Sequence, residues 1–335
     1  MAARPRRIDR GKTLRLAYWN ANGVRSKKQE LVQFLSENGI DVCLLNETHL
    51  GAGQVFRMAN YVCHRNDRPT PGGGTAILVR RGIDHCTVPV SGLQQLEATA
   101  VRLNLGGRPV KLVAVYLSPL RAMVDADLSA CIAGGIPVLM AGDLNAKHRD
   151  WNSRVNSHRG VLLRDFATAN SCIVYGPDTP TTVPPCPLHS PDVLDIVVVK
   201  DFVLPVNLTV CSALSSDHLP VLIDTPCRAS FQVPPDRPNL KRVDWAHFQD
   251  HIAERLPGNP RVDTMEAIDA RLDELTKAIH DALRESAPKS RPKDKPEPTM
   301  PPCILAMIRE KNRLRSEWQV TRDPATKTRV NRLQR

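Results

Sequence analysis

Seven short runs of β-branched and other apolar residues punctuate the first two thirds of the chain: Leu14–Trp19, Val42–Leu45, Thr75–Val79, Val110–Leu117, Pro137–Ala141, Leu194–Val199 and Leu219–Ile223. Each has the length of a strand and is too short for an ordinary helix. Between some of them lie amphipathic stretches. Lys27–Glu37 places Leu31, Phe34 and Leu35 on one face, and Gly160–Ala169 does the same with Leu162, Leu163 and Phe166. Strands interleaved with helices confine the body to an α/β or α+β class, with no repeat architecture visible. The 335 residues allow about two domains, or one large domain with an appendage.

The body is expected to end near Cys227, because residues 225–240 (TPCRASFQVPPDRPNL) carry four prolines and no periodicity. The expected division is therefore a basic tail over 1–12, a body over 13–227, and a proline-rich linker with a basic helical extension over 228–335. Within the extension, Met265, Ile268, Leu272, Leu275, Ile279 and Leu283 follow intervals of three and four, which predicts an amphipathic helix in need of a partner surface. Residues 287–302 are rich in proline and charge, so they are expected to be extended and disordered; a last basic helix starts near Ile304.

Charge divides unevenly. The net +11 splits into +4 over residues 1–12, +1 over 13–227 and +6 over 228–335. A near-neutral body with basic ends suits a polyanion held by the flanks, through release of its counterions, or an ordinary solvated tail. No apolar run is long enough to span a bilayer, and no apolar segment follows the basic N-terminus, so a soluble, unsecreted protein with no membrane partner is expected. The nine cysteines are scattered with no C-x-x-C pair, which argues against a zinc ribbon or a disulfide framework and fits a reducing compartment.

Five polar signatures sit at the ends of the strand-like runs, where sites collect. Asn20-Ala-Asn22-Gly23 follows LRLAYW, Asn46-Glu47-Thr48-His49 follows DVCLL, Tyr116-Leu-Ser118-Pro119 follows KLVAV, and Gly142-Asp143-Leu-Asn145-Ala-Lys-His148 follows PVLMA; Ser215-Ser216-Asp217-His218 precedes LPVLI. Asp195 enters an apolar strand, where an unpaired carboxylate would be costly, so it should have a partner. Singly these are common turns and caps. Phosphodiester hydrolysis needs a hard cation on oxygen ligands, a base for water, and donors around the phosphoryl oxygens; Glu47, Asp143, Asn145, Tyr116 and His218 can supply those parts.

In this order, N-x-N-G, N-E-T-H-L, Y-x-S-P, G-D-x-N-A-K-H, L-D-I and S-S-D-H-x-P, the set resembles the endonuclease/exonuclease/phosphatase superfamily. Its wording is most similar to the apurinic-like endonuclease domain of jockey-type non-LTR retrotransposons, over about residues 13–227. The resemblance implies a four-layer α/β sandwich, two packed mixed sheets flanked by helices, with the site at one rim. It implies Glu47 as principal Mg²⁺ ligand (Mn²⁺ as an alternative ion), with Asp217 beside the metal and Asn20 as a metal-proximal or phosphate-orienting amide. Asp143 would orient or deprotonate the attacking water, Asn145 would position it, His218 held by Asp195 would donate to the scissile phosphate, and Tyr116 would contact the phosphate. Asn22 departs from the aspartate usual in repair enzymes of the family, which puts metal ligation there in doubt.

The implied activity is a single-strand nick in duplex DNA leaving 3′-hydroxyl and 5′-phosphate ends, with element RNA and a downstream reverse transcriptase as further partners and the nucleus as the place of action, the cytoplasm otherwise. No Tyr/Phe-x-Asp-Asp polymerase strand is present, so the chain reads as the front of a longer polyprotein or a truncated copy. Alternatives are an abasic-site repair nuclease, a phosphatase of the same superfamily, or a non-catalytic nucleic-acid-binding remnant. Gly72-Gly73-Gly74 lacks the Gly-Lys-Ser/Thr of a phosphate loop and reads as a flexible hairpin. His49 and His148 read equally as substrate contacts or loop caps. Pro177–Pro191 reads as an exposed loop that senses DNA shape or a merely variable connection. Because every candidate catalytic residue precedes Cys227, the basic tail is expected to bind phosphates without affecting the chemistry.

Overall fold

The computed structural model describes residues 7–8, 13–186, 188–227, 231–232, 237–238, 240–256, 258, 264–287, 289–290 and 300–334. The strands in chain order are β1 (Arg7–Ile8), β2 (Arg15–Asn20), β3 (Val42–Asn46), β4 (Tyr61–Asn66), β5 (Thr75–Arg80), β6 (His85–Val88), β7 (Glu97–Leu105), β8 (Arg108–Tyr116), β9 (Val138–Asp143), β10 (Cys172–Tyr175), β11 (Asp195–Lys200), β12 (Asn207–Val210), β13 (Val221–Asp224), β14 (Phe231–Gln232), β15 (Arg237–Pro238) and β16 (Lys289–Ser290). The helices are α1 (Lys28–Glu37), α2 (Asp125–Ile132), α3 (His158–Ala169), α4 (Trp245–Arg255), α5 (Met265–Ser286), α6 (Pro302–Thr321) and α7 (Pro324–Gln334). All seven strands and the helices expected from the sequence are present. Most of the proline-rich stretch expected to be disordered, and most of the basic N-terminal tail, lie outside the described residues.

Two compact units result. The larger holds β1 to β14 with α1 to α3, and also α6 and α7; the smaller holds α4, α5, β15 and β16. In the larger unit, two six-stranded sheets, ordered β10-β11-β9-β8-β7-β6 and β12-β13-β2-β3-β5-β4, pack face to face. Both mix parallel and antiparallel pairs: β2 with β3 and β8 with β9 run parallel, their neighbours antiparallel.

Strand alternation sorts the side chains into layers. Leu16, Leu44, Ile77, Leu112, Leu139 and Val197 fill the space between the sheets. Residues of opposite parity face outward: Ala17, Cys43 and Leu45 meet Leu31, Phe34 and Leu35 of α1. On the other side, Val113, Met140 and Val198 meet Leu128 of α2 and Leu163 and Phe166 of α3. Helix, sheet, sheet, helix is the four-layer sandwich the motifs imply.

The smaller unit is built around the antiparallel pairing of α4 and α5. Asp244 caps α4 by accepting from the Ala246 and His247 amides at 3.1 Å each, and Thr264 caps α5 by accepting from Ala267 N at 3.2 Å. Arg255 pairs with Asp281 at 2.8 Å, while Ala278 and Ala282 of α5 are buried. Met265, Ile268, Leu272 and Leu275, which the sequence places on an apolar stripe, remain exposed. The described residues leave that stripe without the partner surface it was expected to find.

One glycine is required for the sheet carrying β8 and β9. A Cβ on Gly142 would lie 1.8 Å from the Val115 carbonyl oxygen, an impossible approach that only strand separation relieves. Overpacking of this kind costs typically about 1–3 kcal/mol. Gly142→Ala is therefore expected to lower the unfolding free energy by at least about 2 kcal/mol in urea titration; a loss below about 0.5 kcal/mol would contradict the close packing of these strands.

Candidate active site

Strand register gathers the polar signatures at one rim. Tyr116 on β8 sits opposite Asp143 on β9, which sits opposite Asp195 on β11, so three adjacent strands present phenol, carboxylate and carboxylate in one row. In the facing sheet, Asn20 and Asn46 are register partners at the ends of β2 and β3, and Glu47 follows at once. The Asn46 amide donates to Val115 O and ties the two sheets together at this end. His218, just before β13, is bridged to Thr182. All eight residues singled out from the sequence, Asn20, Glu47, Tyr116, Asp143, Asn145, Asp195, Asp217 and His218, thus fall within one rim.

Their hydrogen bonds are mutual. Asn20 Nδ2 donates to Glu47 Oε1 at 2.8 Å and to Asp143 Oδ2 at 3.1 Å, bridging the sheets. Asn145 N donates to Asp143 Oδ1 at 2.9 Å, and its amide donates to Leu117 O at 3.0 Å. His218 Nδ1 donates to Asp195 at 2.8 Å and 3.0 Å to its two oxygens, leaving Nε2 facing Asp143 Oδ2 at 3.7 Å. The buried partner that Asp195 required is this imidazole. Asn22 donates to Asp217 Oδ1 at 3.2 Å and so orients that carboxylate.

Electrostatics follow from crowding in a buried place. Burial, opposed by His218 and reinforced by the charges of Asp195 and Glu47, pushes Asp143 up to about 7. Burial works against the His218 imidazolium, yet the carboxylates of Asp195, then Asp143 and Asp217, outweigh it and raise His218 to about 10. Burial also acts against the charge of Asp217, but His218 and the Asn22 hydrogen bond hold its carboxyl below the usual range. Tyr116 is raised above an ordinary phenol by burial and by the charge and hydrogen bond of Glu47.

Asp143, Asp195 and His218 form a buried cluster whose potential ligand atoms lie within 4.8 Å of one another. His218 Nδ1 is committed to Asp195, so the donors suited to a hard divalent cation are the oxygens of Glu47, Asp143 and Asp217 with the Asn20 amide. Four carboxylates share the rim with one imidazolium. That surplus of negative charge is what a bound cation would neutralise.

Several contributors were given no role by the sequence. Tyr18, on the inner face of β2, is buried, and burial followed by the charges of Asp195 and Asp143 holds its phenol protonated. Thr181 Oγ1 accepts from the Leu194 and Asp195 amides at 3.1 and 3.2 Å, fixing the head of β11. Ser216 Oγ donates to Asn20 O at 2.9 Å, joining two of the motifs. Lys147, Arg154 and His189 line the cleft that opens over Asp143, Asp217 and His218.

Gly72–Gly74 is not a free hairpin. All three glycines have positive φ, Gly73 and Gly74 accept from the amides of His49 and Thr48 at 3.0 and 3.2 Å, and a Cβ on Gly74 would meet Thr48 Oγ1 at 2.6 Å. The run pins the turn carrying Glu47. His49 lies 3.4 Å from Glu47, whereas buried His148 caps a turn by accepting from Asp150 N at 3.1 Å and packs on Trp151. The proline-rich loop is stitched down at its start, with Val183 N donating to Asp217 O at 2.9 Å and Leu219 N to Thr181 O at 2.7 Å, while Leu188 and His189 stand exposed at the cleft.

The His218–Asp195 pair makes a measurable claim. With its pKa raised to about 10, His218 should remain protonated at pH 8 in imidazole NMR of the metal-free protein. Asp195→Asn removes the largest raising influence and leaves burial dominant, so the midpoint should fall by at least about one unit. An unchanged midpoint would mean that the two do not interact.

Comparison with known proteins agrees with this geometry. A relative named "Probable RNA-directed DNA polymerase from transposon X-element", from Drosophila melanogaster, is 29% identical over 327 residues, 95% of this chain and 36% of the relative. The RNA-directed DNA polymerase from mobile element jockey of the same fly is 28% identical over 93% of the chain and 35% of its own length. The chain thus spans about a third of the curated relatives it matches. Among solved structures, the endonuclease domain of TRAS1, a telomere-specific non-LTR retrotransposon, superposes with a TM-score of 0.54 at 17% identity, covering 63% of this chain and 98% of that one. The AP endonuclease LMAP of Leishmania major gives 0.52 at 15% identity, covering 65% and 89%. These two likenesses establish the fold. The sequence profile described as "Endonuclease/Exonuclease/phosphatase family" matches residues 17–218, from β2 to the imidazole at the rim, and by that match the chain belongs to this family.

Proposed function

We propose that the chain is a Mg²⁺-dependent endonuclease that nicks one strand of duplex DNA, leaving a 3′-hydroxyl and a 5′-phosphate. The observation that carries this reading is the rim itself: an imidazolium locked by Asp195 faces a row of crowded carboxylates across a cleft lined by Lys147 and Arg154. Glu47 and Asp217 would hold the cation, aided by Asn20; when bound, it supplies Lewis-acid stabilisation of the phosphoryl oxygens.

The chain's own groups would do the remaining work. Asp143, whose proton affinity is raised toward neutrality, is suited to orient an attacking water and take its proton. Asn145 holds Asp143 through its backbone N–H and would position the water and the phosphate. His218, protonated and held by Asp195, would donate from Nε2 to a non-bridging phosphoryl oxygen as charge builds there. Tyr116, kept as a neutral phenol, would donate to the same phosphate. Lys147, Arg154 and the exposed tip of the proline-rich loop would contact the flanking backbone. In this reading the partner is duplex DNA, with element RNA and a downstream polymerase segment as further partners by analogy with the relatives, and the nucleus is the place of action.

Supercoiled plasmid should convert to the open circle only with Mg²⁺ or Mn²⁺, and the nick should be sealed by DNA ligase and extended by a polymerase. Abasic duplex and phosphoinositide offered in parallel separate this reading from repair nuclease and phosphatase. Residues behind a metal's ligands typically cost 10–100-fold, so loss of a direct ligand in Glu47→Gln should slow nicking by at least about 100-fold. Mg²⁺ should raise the melting temperature of the wild type but not of Glu47→Gln. Nicking by the variant within a few-fold of wild type at saturating Mg²⁺ would overturn the role of Glu47. His218→Ala and Asp195→Asn should each lose most activity and add little to one another, because they act as one unit; losses that multiply in the double variant would refute the pairing.

A further inference from the structure

Helix α6 buries charge where apolar residues would have sufficed. Lys311 and Arg315 are 4% and 6% exposed, on the same face as Leu314 and Trp318. Burying an ammonium and a guanidinium is costly, and a helix serving only to cover apolar surface would do so more cheaply with Leu or Met. What the two cations reach is informative. Arg315 donates to the carbonyl of Leu214, a buried residue in the left-handed region at φ 58°. Lys311 donates to Ser215 Oγ at 2.9 Å and pairs with Glu30 of α1. Leu214 and Ser215 open the turn that continues through Ser216 and Asp217 to His218.

The next turn of the same helix reaches a second loop. Trp318 packs with Val183 and Leu219, the latter next to His218. Arg322 and Lys327 stack over the Trp318 ring at 5.1 and 5.2 Å and donate to the carbonyls of Pro184 and Pro185 at 2.9 and 2.8 Å. Pro184 lines the cleft, and Val183 N holds Asp217 O. Seven of the nine basic residues after Cys303, namely Arg309, Lys311, Arg313, Arg315, Arg322, Lys327 and Arg329, are engaged within the protein. The tail therefore has little free charge for the role of phosphate holder that composition suggested.

The geometry points to α6 and the start of α7 as a brace that sets both loops on the His218 side of the cleft, with Arg315, Lys311 and Trp318 as positioning residues for the phosphate-facing groups. The chemistry expected to be separable from the tail then depends on it. The kinetic part of this inference rests on the proposed nuclease activity; the structural part does not. The α6 side chains hold the turn of residues 214–217 at the Leu214 carbonyl and the Ser215 hydroxyl, and Arg322 and Lys327 hold the loop segment of residues 183–185 at its carbonyls. Without it, Asp217 and His218 keep their chemical identity and lose their aim.

The test uses the full chain. In Arg315→Met and in Trp318→Ala, kcat for plasmid nicking should fall at least about 10-fold with KM within about 3-fold, whereas exposed Arg332→Ala should leave both unchanged. Arg315→Lys, which restores a donor, should recover most of kcat. Hydrogen exchange supplies a readout independent of activity: the amides of Val183, His218 and Leu219 should exchange at least about 10-fold faster in Arg315→Met while those of β8 and β9 stay protected. Should Arg315→Met fail to fold, the double variant Arg322→Ala/Lys327→Ala, which releases the Pro184–Pro185 carbonyls and uncovers the Trp318 ring while leaving Arg315 and Lys311 in place, decides the matter by accelerated exchange at Val183 and a several-fold change in kcat. Wild-type kinetics and exchange in a folded Arg315→Met, or in the double variant if Arg315→Met is unfolded, overturn the brace. Localised exchange in a protein whose wild type cleaves no DNA upholds the brace and fails the nuclease reading instead.

Discussion

Pairing of β9 with β8 on one side and β11 on the other sets Tyr116, Asp143 and Asp195 in one row, and the functional geometry of the molecule depends on that row. The residues belong to the inward-facing series of their strands: Leu139 and Ala141 lead to Asp143, Leu112 and Ala114 to Tyr116, and Val199 and Val197 back to Asp195. In the opposite sheet Leu16 and Tyr18 lead to Asn20. The site is therefore the polar end of the same layer that forms the core between the sheets. A one-residue slip would turn Leu139 and Ala141 out of that core together with Asp143, so the hydrophobic effect that holds the sandwich also holds the register of the carboxylates.

That continuity explains the electrostatics. Carboxylates at the end of an apolar layer are partly stripped of water, which raises Asp143, and the nearest cation able to compensate is the imidazole that Asp195 orients. Precision at this rim is bought with backbone strain. Asn22, Glu47, His49, Asn145 and Leu214 all sit at positive φ between 42° and 58°. Asparagine tolerates this region, whereas Glu47 and Leu214 do not belong to the residue types that do. They are held there by neighbours: Gly23 N donates to Glu47 O at 2.8 Å, and Arg315 donates to Leu214 O. Strain maintained by surrounding structure is a common mark of sites whose aim matters more than their stability.

Much of this was legible in the sequence. Central strands such as Val138–Asp143 and Asp195–Lys200 are continuous apolar runs, and the polar residues ending them are conspicuous by contrast. Edge strands were not legible: Tyr61–Asn66, His85–Val88 and Asn207–Val210 are short and half-exposed, so their alternation is blurred by polar residues on both faces. Tyr18 reads as an ordinary core aromatic until the facing sheet brings Asp195 to it. Gly72–Gly74 reads as a loose turn because nothing local reveals that Thr48 occupies the space of the missing side chain. The role of Lys311 and Arg315 was hidden for the opposite reason: composition counts them as tail charge, and only the long-range packing of α6 shows them to be interior groups.

The long separations within the rim also order events during synthesis. Asn20 meets Asp143 across 123 residues, Trp19 meets the His218 carbonyl across 199, and Arg315 meets Leu214 across 101. A chain emerging N-terminus first acquires Glu47 and Asp143 well before the imidazole that faces them, and α6 later still. Until residue 218 is available the two sheets lack the group that joins β11 to the β2 side of the rim, and until Trp318 is available the loops beside it have only their hydrogen bonds to one another. A fragment that ends before residue 218 lacks the imidazole of the rim, and one that ends before Trp318 lacks the packing of α6 on Val183 and Leu219. The rim is thus assembled by long-range closure rather than by local folding, because no single stretch of the chain carries more than a part of it.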